Sequence, residues 1–132
     1  MSDWTDEVGC KVGSTTTALC EGPPGSDPPP APPGARVTLT PASQTVTDGD
    51  DAYFDIRWDD DSKAPGALER MVFKSDRDFH QGGPMFVANH STVTRYMSPN
   101  DGTGMYDVWV SVGPIGGPFL LSNHVSLEVV SP

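Results

Sequence analysis

The chain has 132 residues, with 18 acidic against 8 basic side chains and a formal net charge of −10. This balance argues against duplex nucleic acid and anionic membranes as partners, because both are bound through clusters of Lys and Arg. The length fits one domain with little spare volume for a deep active-site cavity, and no apolar run reaches the roughly 18 residues of a membrane-spanning helix.

The first 35 residues differ in composition from the rest of the chain. Residues 22–34 hold seven prolines, which predicts a semi-rigid polyproline II spacer that extends about 3.1 Å per residue. We therefore expect an extended Pro/Gly-rich N-terminal arm over residues 1–35 and one folded domain over residues 36–132.

Both cysteines, Cys10 and Cys20, lie in this arm. A disulfide and a pair of free thiols both fit their spacing, and a disulfide would form only after release from a reducing cytosol. No Cys or His stands at ligand spacing to them, so no zinc site is expected. The N-terminus lacks the basic and apolar regions of a secretory signal, which predicts synthesis in the cytoplasm.

From Arg36 onward, short β-branched and aromatic runs are separated by Gly, Pro, Asn and Asp clusters, which is typical of an all-β sandwich. The predicted strands are Arg36–Thr40, Gln44–Thr47, Ala52–Trp58, Arg70–Ser75, Met85–Ala88, Thr92–Met97, Met105–Val112 and Phe119–Val130, the last broken near Ser122–Asn123. Only Pro65–Met71 has helical character, and it is too short to form a stable helix alone.

Alternation with a period of two assigns the faces of the strands. Phe54, Ile56 and Trp58 alternate with polar residues and are predicted to be buried. Tyr106 and the three valines at every second position after it are predicted to face inward. Trp109 then lies on the opposite face of the same strand.

Residues 100–110, which read Asn-Asp-Gly-Thr-Gly-Met-Tyr-Asp-Val-Trp-Val, resemble the E–F corner of immunoglobulin-like domains. Gly104 and Tyr106 match that pattern, whereas the acidic residue is displaced by one position. Val108 stands where antibody domains have their second disulfide cysteine, so that bridge is absent. The resemblance implies that the Tyr106 hydroxyl hydrogen-bonds a nearby backbone group.

Residues 36–50, followed by Phe-Asp-Ile-Arg-Trp at 54–58, also resemble the first strands of bacterial and viral Ig-like modules. Together the two resemblances cover residues 36–112 and imply an immunoglobulin-like β-sandwich. One departure is that Trp58 falls in the second long strand instead of the third.

A single Ig-like domain preceded by an arm resembles, in its layout, the head-decoration proteins of tailed bacteriophages. The resemblance implies a structural virion protein, made in the host cytoplasm, that decorates or cements the capsid surface. Its partner would be the major capsid protein lattice, and trimers would suit that lattice. We expect neither enzymatic activity nor a cofactor.

Aromatic and apolar side chains that a small sandwich does not easily bury are the candidates for partner contacts. They are Trp4, Val8, Cys10 and Leu19 in the arm, and Trp109 and Ile115 in the domain. Two alternatives stay open: Trp4 folds back on the domain, and Trp109 packs in a core. An exposed Trp109 would instead favour an adhesion or carbohydrate-binding module that recognises host-surface glycans. A third hypothesis is a phage tail or baseplate subunit.

Acidic and histidine residues complete the list of chemical candidates. Residues 48–51 and 59–62 contain Asp clusters that match no EF-hand spacing, so we interpret them as turns, not Ca²⁺ sites. His80, His90 and His124 are widely spaced, each in or beside a polar loop, and are interpreted as solvated or hydrogen-bonded surface residues. No nucleophile elbow or phosphate-binding loop is present, and no metal site is expected.

Overall fold

The computed structural model describes residues 4–5, 9–12, 17–23, 25–82 and 85–132. Its strands are β1 (Trp4–Thr5), β2 (Lys11–Val12), β3 (Ala18–Cys20), β4 (Ala35–Thr40), β5 (Ser43–Thr47), β6 (Ala52–Asp60), β7 (Leu68–Ser75), β8 (Phe79–Gln81), β9 (Met85–Ala88), β10 (Ser91–Pro99), β11 (Gly104–Val112), β12 (Phe119–Leu121) and β13 (Val125–Val130). No helix long and apolar enough to cross a membrane is found among these residues.

The longer strands form two sheets that pack as a β-sandwich. One sheet has the order β4-β6-β10-β8, and the other has β11 at its centre, with β7 and then β9 on one side and β12 and β13 on the other. Beyond these two, β3 pairs with β12, and β5 pairs with β13 in the parallel sense. A separate two-stranded pair, β1 with β2, lies near the N-terminus.

All eight predicted strands are present, with bounds within two residues of the prediction. The predicted break in the last strand is also confirmed, since Ser122 to His124 separate β12 from β13. No helix forms at Pro65–Met71; its second half begins β7 instead. The strands β1, β2, β3 and β8 were not predicted, because two or three residues carry no readable alternation.

The main core lies between the two sheets. Phe54, Ile56 and Trp58 are buried as predicted, and the Phe54 ring packs against Phe73 with their centroids 5.7 Å apart. Tyr106 and the alternate valines of β11 belong to the same cluster. Each large apolar side chain buried in this way contributes about 1.5–3 kcal/mol.

The corner before β11 has the hydrogen bonds that the resemblance implies. The Tyr106 hydroxyl accepts a hydrogen bond from the Asp101 N–H at 2.9 Å and donates one to the Gly102 carbonyl oxygen at 2.8 Å. The Arg77 guanidinium carbon lies 4.3 Å from the centre of the Tyr106 ring. Gly104 has a φ of 121°, and a Cβ there would lie 2.7 Å from Arg77 Nη1, so both its backbone and its surroundings favour glycine.

Candidate functional site

Cys10 and the strand Ala18–Cys20 of the N-terminal segment pack on the sandwich instead of projecting freely. A disulfide joins Cys10 to Cys20, which resolves the alternative left open by their spacing. β3 adds to the seven-stranded sheet through β12, and its outer edge is bonded in turn, because the Leu19 N–H donates to the Pro29 carbonyl oxygen. Leu19, predicted as a partner contact, is half-buried against the main core.

This segment covers a second apolar cluster on the outer face of the seven-stranded sheet. The cluster consists of Cys10, Cys20, Trp109, Phe119 and Leu121, all at most 1% exposed. Trp109 does lie on the face opposite the main core, as predicted, but the disulfide-closed segment covers it. The expectation that Trp109 and Cys10 offer surface for a partner is therefore wrong, because neither side chain reaches solvent.

His124 extends this cluster. Its ring stacks on Trp109 with centroids 4.5 Å apart and planes 10° apart, and its Nδ1 lies 2.7 Å from Asp107 Oδ2. The side chain is only 6% exposed, so the interpretation of His124 as a surface histidine is wrong. The imidazole instead covers one face of the Trp109 indole, and the Asp107 carboxylate contacts the imidazole.

Ile115 keeps the exposure that the sequence predicts. It is 86% exposed at the tip of the loop between β11 and β12. The base of this loop faces the N-terminal segment across a cavity of about 310 Å³, lined by Gly116 to Pro118 on one side and Cys20 to Gly22 on the other. The loop and the disulfide-closed segment therefore occupy the same end of the molecule.

Of the two remaining arm candidates, only Trp4 belongs to the described residues. The backbone of Trp4 pairs with that of Val12 in β1 and β2. Val8 lies outside the described residues.

A groove of about 850 Å³ runs between the Pro-rich segment and the edge of β4. Its polar wall carries Asp59, which accepts hydrogen bonds from the Arg57 guanidinium at 2.9 and 3.1 Å and contacts His90 Nδ1 at 2.9 Å. The bond from Arg57 and the contact with His90 lower the pKa of the Asp59 carboxyl, against a smaller opposing effect of burial. His90 has a φ of 63°, a left-handed conformation that is uncommon outside glycine.

An exposed tyrosine pair, which the sequence prediction missed, lies on the outer face of the four-stranded sheet. Tyr53 and Tyr96 are opposite each other on β6 and β10, with ring centroids 5.5 Å apart, and they are 58% and 40% exposed. Strict alternation from the buried Phe54 already turns Tyr53 outward, so this signal was present in the sequence.

The acidic turns have structural roles. The Asp60 carboxylate accepts hydrogen bonds from both the N–H and the hydroxyl of Ser62, which closes the turn after β6. Within the described ranges, no group of three His, Cys, Asp or Glu side chains is arranged to hold a metal ion.

No family model, curated protein or solved structure matches this chain. Function is therefore inferred from the two surfaces described above: the end that carries Ile115, and the tyrosine pair.

Proposed function

We propose that this protein is an immunoglobulin-like structural module of a tailed bacteriophage, displayed on the capsid and bound to the major capsid protein lattice. The strand order and the hydrogen-bonded corner at Tyr106 support the Ig-like assignment, since a tyrosine corner of this kind is a hallmark of such sandwiches. The disulfide supports a final location outside the reducing cytosol.

One observation carries the proposed mode of binding. The base of the Ile115 loop and the Cys20–Gly22 end of the disulfide-closed segment lie at one end of the molecule, which supports a single contact surface formed by the loop and the N-terminal segment. The exposed apolar side chain of Ile115 at this surface is suited to docking on another protein. The opposite end, with the Tyr106 corner, would face solvent.

Fewer residues of the N-terminal segment are proposed to contact the partner than a free arm would offer. Cys10 and Leu19 are packed against the domain, so the contact is assigned to residues 1–8, which include Trp4 and Val8, together with Ile115. Binding would stabilise the shell by mass action without any chemical reaction.

Co-sedimentation with undecorated particles tests this proposal. We expect saturable pelleting of the full chain at a fixed copy number. Deletion of residues 1–8, which retains both cysteines, and Ile115→Ser should each weaken pelleting, whereas Tyr53→Ser on a different face serves as the matched control. Pelleting that is unaffected by both changes would refute the contact surface, and the absence of any pelleting would refute the capsid role.

The second candidate function is glycan binding by an adhesion module. The candidate residues for glycan contact are then Tyr53 and Tyr96, which form an exposed aromatic pair, because Trp109 is buried. Glycan-array binding that is lost in a Tyr53→Ala, Tyr96→Ala double variant and retained in Met105→Ala would favour this candidate over the first.

A further inference from the structure

The edge strands of the two sheets differ in whether their outward N–H and C=O groups have hydrogen-bond partners. At the β4 edge and at the free part of the β7 edge, side chains take the place of a neighbouring strand: Asn123 bonds the edge of β4 at Leu39, and Gln81 Oε1 accepts from the Phe73 N–H of β7. The Thr17 hydroxyl likewise donates to the Val37 carbonyl oxygen. An edge that is covered or blocked is less able to pair with another chain.

At the outer edge of β9, the described residues provide no such protection. The Asn89 N–H donates to the Ala67 carbonyl oxygen, and the strand register places Val87 opposite Glu69. Because hydrogen-bonded and non-bonded pairs alternate in an antiparallel ladder, the N–H and C=O groups of Phe86 and Ala88 point away from β7. Among the described residues, no hydrogen bond to these outward groups is found.

We infer that β9 is a self-association edge, at which a second copy of this chain adds its own β9 in the antiparallel sense and joins the two larger sheets. This inference goes beyond the proposed function and does not depend on it. Around a two-fold axis, Phe86 of each copy would stand opposite Ala88 of the other, with the two Val87 residues facing each other at the axis. Each of the two Phe86–Ala88 pairs exchanges two backbone hydrogen bonds, so the contact is self-complementary.

The side chains favour a second copy as the occupant. On the outer face, Leu68 is 70% exposed and Phe86 is 47% exposed, and Leu68 lies opposite Ala88 in the register. In the paired arrangement, Phe86 of one copy would therefore continue the row formed by Leu68 and Ala88 of the other, so that both apolar side chains are covered.

Charge points to the same edge. The chain has a net charge of −10, so two copies approach with least repulsion where neither presents a charge. β9 reads Met-Phe-Val-Ala and carries no charged side chain. The β8 edge of the other sheet offers a shorter contact, since that strand has only three residues.

Light scattering of the full chain at rising concentration tests this inference. The weight-average mass should rise from one chain, 14.0 kDa, toward twice that value. Phe86→Lys, which places two positive charges near the axis, should hold the mass at one chain. Met105→Lys makes the same change at a similarly exposed site, 56%, on the outer face of the same sheet, and it should dimerise normally.

Hydrogen exchange supplies a second measurement. The Phe86 and Ala88 amides should be protected at high concentration and should exchange rapidly in the Phe86→Lys variant, whose melting curve reports whether it is folded. A wild-type mass of one chain at every concentration overturns the inference. A dimer that persists in Phe86→Lys, or that leaves these two amides unprotected, overturns it as well.

Discussion

Asn123 bonds the backbone of Leu39 from 84 residues away in the sequence: the Leu39 N–H donates to Asn123 Oδ1, and Asn123 Nδ2 donates to the Leu39 carbonyl oxygen, both at 2.9 Å. These bonds close the free edge of the four-stranded sheet and tie it to the last strand of the other sheet. The interruption between β12 and β13 is what allows Asn123 to leave its own ladder.

Asn123→Ala should lower the free energy of unfolding by about 1–3 kcal/mol, because it leaves two backbone groups at a buried residue without their partner. Urea denaturation measures this loss. Asn100→Ala, which removes an exposed hydrogen bond to Asp78, is the control and should cost far less. Equal losses in the two variants would show that the link between the sheets is unimportant.

Tyr106→Phe should destabilise the protein by about 1 kcal/mol, since it removes the two hydrogen bonds of the corner and leaves the ring in place. The measurement is thermal or urea denaturation. Tyr53→Phe makes the same chemical change at an exposed ring and should be nearly neutral. If the two variants have the same stability, the Tyr106 hydroxyl does not stabilise the corner.

Replacing both Cys10 and Cys20 with Ser should cost about 3 kcal/mol, the value that the chain-entropy model gives for a short closed loop. It should also loosen the cover over Trp109, so that acrylamide quenches tryptophan emission more strongly. In a Trp109→Phe background, the same cysteine changes should produce no such increase. Unchanged quenching would mean that the cover persists without the disulfide.

Asp59→Asn should reduce stability in a pH-dependent way. Arg57 and His90 hold the folded-state pKa of Asp59 below its ordinary value of 3.8, so the stabilisation is complete above that value and is lost as the pH falls through the lower folded-state pKa. The difference from wild type should be under about 1 kcal/mol, as for other partly exposed ion pairs.

Denaturation curves at neutral and strongly acidic pH measure this difference, which should shrink on acidification. Asp61→Asn is the control, because Asp61 is 78% exposed and lies 3.8 Å from His90. A difference that grows as the pH falls would contradict the assigned direction of the Asp59 pKa shift.

Apart from β8, the strands of the two sheets between β4 and β13 were predictable because each has five or more residues or a clear apolar run, and because the core positions follow period-two alternation. The strand that the N-terminal segment adds to the seven-stranded sheet was not predictable. Ala18–Cys20 is too short to show alternation, and its pairing with Phe119–Leu121 joins segments about a hundred residues apart. One signal was available: Trp109, Phe119 and Leu121 are apolar on a face that alternation assigns to the outside. Such a face requires a cover, but the sequence does not say which segment provides it.

The pairing of β3 with β12 also constrains how the protein forms. Residues 18–20 are synthesised about a hundred residues before the strand with which they pair, which ends at residue 121. β5 likewise can pair only after β13, which ends at residue 130, has been synthesised. Contacts between such distant parts of a chain are slow to form, so we expect β3 and β5 to join the seven-stranded sheet late in folding.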